Sequence, residues 1–577
     1  MSAAHPSPAD TLQQRLDAML QDLLDTFPEQ ATRLGLDTGA HADRRARLDD
    51  YSADGLNRYL DRQAGHVHAL SEIDSAALSR LARIDRDAVL FDSEAMLASR
   101  RLLAQGQPQA FQPYVVTQLT GAYQHLPDFL TTKHPLDTAT DAEAYLARLQ
   151  AFGQALRDES ARIEADAAAG VRPPAFVIDT TLRQLQALAM GDAADAALVT
   201  TLVGRCQTLG LAGDWAARAT RVVQQALQPA AQAQMALLQR LRGDATDEAG
   251  VWKLRDGEAY YQNCIVAQTT THMSADEIHE VGLDQVAELT AQIDTVLRAL
   301  GLDQGPVAQR LAALAKDERH VYPNTDEGKA QLLAELRALV AEMQARLPEM
   351  FATLPKAGLE VRRVPPAIEA GAPRGYYTPG PADGSRPGAF YANLRNTHDW
   401  KRWYAPSFAY HEGVPGHHLQ IALALETQDT AMMRRVLWFA AYGEGWALYA
   451  EQLADEMGLY ERNPVGRVGY LQSMLFRAAR LVVDTGLHAK RWTRRQAIDY
   501  LVQAVGETES RASAEVDRYC VMPAQALSYK IGHLRWQRLR EAVRQREGTA
   551  FDLKRFHSET LRWGAMPLEL LDTLHAG

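Results

Sequence analysis

Through most of the first 350 residues, apolar side chains recur at the three- and four-residue spacing of an amphipathic helix. Residues 12–27 show this spacing behind Ser7 and Pro8, where serine can cap a helix and proline can occupy its first turn. Residues 140–143 (TDAE) and 274–277 (SADE) have the form in which a hydroxyl and a Glu side chain cap each other's amides. These patterns predict a large body of stacked helices.

The composition of the chain changes at about Leu354, where proline and glycine become frequent. Two short runs in this region have β-like composition, GLEVRRV at residues 358–364 and GAFYANL at residues 388–394. They predict a small sheet drawn from about residues 359–394. The GAFYANL run could offer its edge to an extended peptide.

Helices return from Trp403 onward, and most of the unusual polar residues follow. We therefore expect a mainly α protein, a large multi-helix body with a central cleft and a small β-sheet next to the functional site. A helical scaffold lobe is expected over residues 1–350 and a catalytic lobe over residues 351–577, within one continuous domain.

The overall composition excludes several classes of function. The chain has 577 residues, 46% hydrophobic and 23% charged, which is typical of a globular protein with a large core. Its net charge of −11 and the lack of a long basic run argue against nucleic-acid and membrane partners. Cys206, Cys264 and Cys520 are too dispersed to indicate a disulfide framework. The first residues resemble no export signal, so we expect a cytoplasmic protein, or a periplasmic or secreted one if a leader has been removed.

The segment HEGVPGHH, residues 411–418, contains three of the 17 histidines of the chain. The usual helical zinc motif is H-E-x-x-H, because residues four apart share a helix face. Here Pro415 occupies the fourth position after His411. On a continuous helix His417 would lie about 240° around from His411, and His418 about 10.5 Å further along the axis. Neither could then share a metal ion with His411.

A break in the helix would remove this obstacle. Pro415 lacks an amide hydrogen and would clash with the carbonyl of His411, and Gly416 tolerates backbone shapes that other residues avoid. A two-residue bulge would therefore turn His417 toward His411. The alternative is that all three histidines are exposed, or satisfied within the core.

Glu444 is the only charged residue between positions 436 and 450. Burying a lone carboxylate costs several kcal/mol, and a bound cation would remove that cost. Alternatively, Glu444 faces solvent or pairs with an arginine from another helix. Glu451 lies seven residues later on nearly the same face, where it could orient a ligand histidine or be an ordinary exposed acid.

Three segments together resemble the bacterial domain-of-unknown-function 885 family: HEGVPGHHLQ (411–420), YGEGWALYAE (442–451) and RYCVMPAQALSYKIG (518–532). The stretch GEAYYQNCIVAQTTTHMSADEIHEVGL (257–283) also resembles the family, so the resemblance covers at least residues 257–533. That family is placed near the thimet-oligopeptidase-like and Taq-carboxypeptidase-like zinc peptidases, which are helical bodies with a deep central channel.

The resemblance implies a set of metal ligands and a base. Those peptidases carry His-Glu-x-Gly-His, which implies His411 and His417 as zinc ligands, with His418 as the alternative to His417. It implies Glu444 as the third ligand of one Zn²⁺ per chain, and Glu412 as the general base. Against that family pattern, this chain has two extra residues before His417.

The resemblance also implies residues that contact the substrate. Tyr529 matches a tyrosine that hydrogen-bonds the oxyanion, or it is a buried structural tyrosine. Arg511 and Arg518 could hold a substrate carboxylate or pair with neighbours such as Glu515. Asn393, in the FYANL run that also resembles the family, is a further candidate for substrate binding.

We therefore expect a zinc metallopeptidase that cleaves short peptides, with Glu412 as general base. Two alternatives stay open: a hydrolase of non-peptide amides or esters, and a catalytically inactive metal-binding scaffold. Glu412 argues against the scaffold, because a purely structural zinc site needs no base.

Overall fold

The structure is a computed structural model that describes residues 7–103, 111–366, 369, 372–380, 386–427 and 429–575. The chain divides into two compact units, the first formed by residues 1–74 and 93–260 and the second by residues 75–92 and 261–577. The lobe boundary expected near residue 350 falls inside the second unit.

The first unit consists of helices that are joined by short 3₁₀ and π segments. Its α-helices are α1 (Pro8–Thr26), α2 (Pro28–Leu34), α3 (Ala53–Ser71), α4 (Arg80–Leu102, which begins in the second unit), α5 (Ala122–Asp128), α6 (Ala139–Ala168), α7 (Ala175–Met190), α8 (Ala197–Thr208), α9 (Trp215–Val222) and α10 (Gln228–Arg242). The core of this unit includes the apolar face of α6, on which Leu149, Phe152 and Leu156 are completely buried.

The helix starts that were predicted from capping residues are confirmed in two of three places. Ser7 caps α1, and Ser274 caps the later helix that begins at Ala275, in each case through a reciprocal pair of hydrogen bonds. The predicted capping pair at residues 140–143 is wrong. Helix α6 is capped by Thr138 instead, because Asp141 accepts from the Thr138 amide at 2.9 Å and thus takes the role expected of a glutamate.

The second unit contains the remaining helices and the sheet. Its α-helices are α11 (Gly257–Thr269, which begins in the first unit), α12 (Ala275–Ala299), α13 (Val307–Leu314), α14 (Asp326–Arg346), α15 (Ala405–Glu412), α16 (His417–Glu426), α17 (Met432–Arg435), α18 (Ala440–Glu456), α19 (Pro464–His488), α20 (Arg494–Val505), α21 (Glu509–Val521), α22 (Ser528–Glu547), α23 (Leu553–Leu561) and α24 (Leu568–His575). The expected mainly α fold is confirmed. Among the described residues, no helix has the length and apolarity needed to cross a lipid bilayer.

The sheet has three strands, β1 (Leu359–Arg363), β2 (Gly375–Thr378) and β3 (Gly388–Ala392), in the order β1-β3-β2. β1 pairs with β3 in parallel, and β2 pairs with β3 antiparallel. The small predicted sheet is confirmed, but the expectation that GAFYANL offers an edge is wrong. That run forms β3, the central strand, whose two sides are both paired, and the edge strand β2 was not predicted.

Helices α18 and α22 approach so closely that their backbones touch. A Cβ atom on Gly532 of α22 would lie 2.0 Å from the carbonyl oxygen of Ala441, and one on Gly445 would lie 2.4 Å from the carbonyl carbon of Gly532. Trp446 and Trp536 pack edge to face beside this contact, with ring centroids 5.0 Å apart. The two glycines therefore set the distance between these helices.

We expect Gly532→Ala to lower the free energy of unfolding by about 1–3 kcal/mol, as overpacking of a tight interior does. The added methyl group would overlap the Ala441 carbonyl and force the helices apart. Gly65→Ala is the matched control, because Gly65 lies on α3 with open space around its Cα. Chemical denaturation of both variants measures the difference, and equal stabilities would contradict the proposed packing.

Candidate metal centre

The chain is interrupted between α15, which ends at Glu412, and α16, which begins at His417. The Val414–Pro415 peptide is cis, and the Pro415 carbonyl accepts a hydrogen bond of 2.9 Å from the indole of Trp446. A Cβ atom on Gly416 would lie 2.0 Å from the carbonyl oxygen of His411, so only glycine fits here. The break turns the chain so that the rings of His411 and His417 meet edge to face at 4.9 Å.

Glu444 lies on α18 and completes a group of three metal-ligand side chains with His411 and His417. One ligand atom from each lies within 4.8 Å of the others. The Oε2 atom of Glu444 is 3.4 Å from the Nε2 atoms of both histidines. This oxygen is buried and has no hydrogen-bond partner among the described residues, so neither imidazole is hydrogen-bonded to it.

These distances fit a small divalent cation. Bonds of about 2.0–2.1 Å to a tetrahedral zinc ion place neighbouring ligand atoms about 3.3–3.4 Å apart. The two distances from Glu444 match that spacing. Two imidazoles and one carboxylate are also a donor set that catalytic zinc sites use. The unpartnered oxygen of Glu444 therefore fits a metal ligand better than an ion pair.

The electrostatics of the group favour positive charge at the point where the three side chains meet. Burial would raise the pKa of Glu444, but the two nearby imidazoles outweigh it and hold that pKa below its usual range. Burial would lower the pKa of His411, yet Glu444 and Glu451 outweigh it and raise the pKa to about 10. Burial raises the pKa of Glu412, the next residue.

Glu451 holds His411 from the other side of the imidazole ring. Its Oε1 atom lies 2.8 Å from Nδ1 of His411, and its other oxygen accepts a hydrogen bond from Ser407. Glu451 is only 1% exposed, so it is not an ordinary surface acid. This bond directs Nε2 of His411 toward Glu444, as carboxylates do behind metal-binding histidines.

His418, the alternative to His417, points away from the group. Its Nδ1 atom lies 3.0 Å from the hydroxyl of Tyr377 on β2, and its Nε2 atom lies 3.2 Å from the carbonyl oxygen of Ala357. Both ring nitrogens are therefore used outside the group of three. Burial lowers the pKa of His418 to about 4, which leaves a neutral ring that links α16 to the sheet.

The three side chains line a cavity of about 630 Å³. Glu412 and Tyr529 line the same cavity, and the Tyr529 ring stacks on His411 with centroids 6.5 Å apart. Burial and, next, the Glu444 carboxylate raise the pKa of Tyr529, which keeps its phenol protonated. The cavity thus combines a metal-ligand group, a carboxylate and a hydroxyl donor.

Of the three residues expected to bind substrate, only Arg511 lines this cavity. Arg518 pairs with Glu515 at 3.0 Å and with Gln525 at 2.5 Å, and it is not part of the cavity wall. The amide of Asn393 donates to two loop carbonyls at 2.8 and 2.9 Å, and its oxygen accepts from the Arg395 amide. The side chain of Asn393 thus holds a loop, and its role in substrate binding stays a prediction.

The lining residues that were not predicted include Arg374, Tyr404, Arg477 and Arg480. Two of them had a signal in the sequence, because Arg477 and Arg480 interrupt the otherwise apolar run MLFRAARLVV on α19. An isolated charge in an apolar helix indicates a buried partner, the argument that also applies to Glu444. Arg374 follows a loop and had no such signal.

The fold and the cavity define a class of protein: a mainly helical one in which two buried histidines and a partly buried glutamate converge beside a further carboxylate. The chain belongs to the family described as bacterial protein of unknown function (DUF885), whose model matches residues 28–574. No curated protein matches the chain.

Two solved structures are similar to this chain. A "putative lipoprotein" from Colwellia psychrerythraea is 30% identical, with a TM-score of 0.95 over 99% of both chains. A "putative lipoprotein of unknown function" from Shewanella oneidensis is 18% identical, with a TM-score of 0.71 over 99% of this chain and 100% of its own. The second likeness concerns the fold alone.

We expect Glu451→Gln to weaken zinc binding about 10- to 100-fold, the usual effect of removing a carboxylate behind a ligand histidine. The glutamine side chain has no negative charge and would therefore hold His411 less strongly than the Glu451 carboxylate does. Competition titration with a zinc-binding dye measures the change. Glu456→Gln, on the same helix but bonded to Arg540, is the control and should bind zinc as the parent does. Equal affinities of the two variants would contradict this role of Glu451.

Proposed function

We propose that this chain is a zinc-dependent metallohydrolase that cleaves peptide bonds in short peptides. The observation that carries the proposal is the convergence of His411, His417 and Glu444 at 3.4 Å spacing, with Glu412 in the same cavity. A structural zinc site closes its coordination with protein ligands and has no use for a nearby carboxylate base. The arrangement therefore supports catalysis over a scaffold role.

Each residue of the group has a distinct role in this proposal. His411, His417 and Glu444 would hold one zinc ion, and Glu451 would keep His411 in position. Bound zinc polarises a carbonyl group and makes a water molecule more acidic. Glu412 takes the proton from the attacking water and returns it to the leaving amine.

Tyr529 would act on the oxygen of the substrate carbonyl. Its phenol lines the same cavity and can donate a hydrogen bond to that oxygen as negative charge develops. Such a donor lowers the barrier only if it is held in place beforehand. The stacking of Tyr529 on His411 supplies that restraint.

Strand β2 is a suitable element for holding an extended peptide. It is an edge strand of the sheet, and Gly375, Tyr376 and Tyr377 line the cavity. Peptides often bind by adding a strand to such an edge, where the backbone supplies the hydrogen bonds. This mode would accept many sequences, which suits a peptidase of short peptides.

The description of the structure from Colwellia psychrerythraea supports a location outside the cytoplasm. That protein is described as a "putative lipoprotein", and bacterial lipoproteins are exported. We therefore prefer the periplasmic alternative over a cytoplasmic one for this chain.

Cleavage profiling of a mixed peptide library by mass spectrometry tests the proposed activity. Zinc-loaded protein should produce cleavage products, and the same protein with a chelator should produce none. A parallel mixture of non-peptide amides and esters separates the two hydrolase alternatives. If only the amides and esters are cleaved, the protein is a hydrolase of non-peptide substrates and the proposed peptidase activity is wrong.

Substitutions of Glu444 and Glu412 should have different effects on zinc content and turnover. Glu444→Ala removes a ligand and its charge, so zinc per chain and turnover should both fall. Glu412→Gln keeps the shape of a residue that is not a ligand, so zinc should stay bound while kcat falls about 100- to 10,000-fold. Zinc content by atomic absorption and turnover on one peptide are measured for both variants.

The pair of measurements is more informative than either alone. Glu461→Gln, an acid outside the cavity lining, serves as the control and should retain both zinc and turnover. If Glu412→Gln hydrolyses peptides as fast as the parent at equal zinc content, the proposed mechanism fails.

A further inference from the structure

The cavity beside the group of three is lined by four arginines, Arg374, Arg477, Arg480 and Arg511. Two of them have acidic partners: Arg480 pairs with Glu515 at 2.9 Å, and Arg511 pairs with Glu507 at 3.5 Å. Arg374 and Arg477 have no carboxylate partner among the described residues. Two of the four guanidinium groups therefore lack a salt bridge, in a wall to which Glu412, Glu444 and Glu515 also contribute carboxylates.

Arg374 and Arg477 meet at the side chain of Tyr404. The guanidinium carbon of Arg374 lies 5.3 Å from the Tyr404 ring, and Nη1 of Arg477 donates to the Tyr404 hydroxyl at 2.8 Å. Arg477 is also held by Ser473 at 2.7 Å and is only 7% exposed, with a buried Nε atom that has no partner. The guanidinium of Arg374 has no hydrogen-bond partner in the described parts of the chain.

The local charges agree with this geometry. Burial, followed by the neighbouring Arg511, lowers the pKa of Arg374 to about 10. Burial would raise the pKa of Tyr404, but Arg477, Arg511 and Arg374 outweigh it and lower that pKa. Arg477 is buried and Arg374 is partly buried, and neither forms a salt bridge with a described carboxylate, so a ligand of opposite charge suits the space beside them.

We propose that Arg374 and Arg477, which both contact Tyr404, bind the C-terminal carboxylate of the peptide substrate. This assignment rests on the proposed function and names its substrate class. Arginine suits the task because its planar fork matches both oxygens of a carboxylate. The hydroxyl of Tyr404 and the nearby Arg511 complete the surroundings.

The position of the arginines also limits where the peptide is cut. The guanidinium carbon of Arg477 lies 5.9 Å from the Tyr529 ring, which in turn stacks on His411 at 6.5 Å. An extended peptide advances about 3.3–3.6 Å per residue. These contacts keep Arg477 within a few residues' length of the His-His-Glu group, so we expect the enzyme to release a short fragment from the C-terminal end.

Matched peptides test the assignment. Two N-acetylated pentapeptides of one sequence carry a free or an amidated C-terminus, and a third is amidated but ends in glutamate. The free acid should be cleaved with a kcat/KM at least about tenfold above both amides, since a charge-assisted bond is lost in each. Equal rates for the free acid and its amide overturn the subsite. Efficient cleavage of the glutamate peptide overturns the terminal assignment.

Variants connect the preference to the arginines. Arg374→Gln should lower kcat/KM for the free acid about ten- to hundredfold, and the ratio of free acid to amide should fall toward one. Arg374→Lys should keep part of the ratio. General damage would lower both rates and leave the ratio, so an unchanged ratio overturns the role of Arg374. Arg495→Gln, an exposed arginine outside the cavity, is the control and should keep the parent ratio.

Direct binding separates this proposal from the proposed function. The full chain, with metal chelated, is titrated calorimetrically with acetyl-dialanine and with its amide. Preferred binding of the acid, weakened in Arg374→Gln, supports the subsite even if no peptide is hydrolysed, in which case only the proposed function fails. Equal binding of acid and amide, or binding of neither, overturns the subsite and leaves hydrolysis to be judged by the library experiment.

Discussion

A carboxylate buried inside an apolar helix needs a positive partner, and much of the second unit is arranged around that need. Glu444 lies on α18, and within the described part of the chain its ionic neighbours are the imidazoles of His411 and His417. Neither imidazole is aligned to bond its Oε2 atom. A stable fold with that oxygen unsatisfied would lose several kcal/mol, and a cation offsets this loss without any rearrangement.

Helix α18 contributes two carboxylates to the site, from different turns of the helix. Glu444 and Glu451 are seven residues apart, so they share a face about 10.5 Å apart along the axis. His411 lies between them, with Nε2 facing Glu444 and Nδ1 bonded to Glu451. One imidazole thus links two turns of the helix. The break after Glu412 is then required, because an unbroken helix would place His417 on another face.

Features that depend on a few neighbouring residues could be predicted from the sequence. Features that depend on contacts between residues far apart in the sequence could not. The caps at Ser7 and Ser274 and the lone charge of Glu444 are readable within a few residues. Strand β2 is four residues long and is stabilised by pairing with β3, which no local pattern reveals. Arg518 could not be assigned for the same reason, since its choice of Glu515 and Gln525 over the cavity depends on how α21 packs.

The net charge of −11 hides a local excess of the opposite sign. Arg374 and Arg477 lie in the cavity wall and have no salt-bridge partner in the described part of the chain, although acids outnumber bases in the sequence, 72 to 61. Pairing each of them with an acid would have stabilised the empty cavity, but it would also have filled the space that a carboxylate can occupy. A site with unpaired guanidinium groups discriminates strongly between ligands. A ligand that lacks a carboxylate would bury these groups without a hydrogen-bond partner. Under the proposed function, these arginines would select the end of the peptide that enters the cavity, and the His-His-Glu group would select the bond that is cleaved.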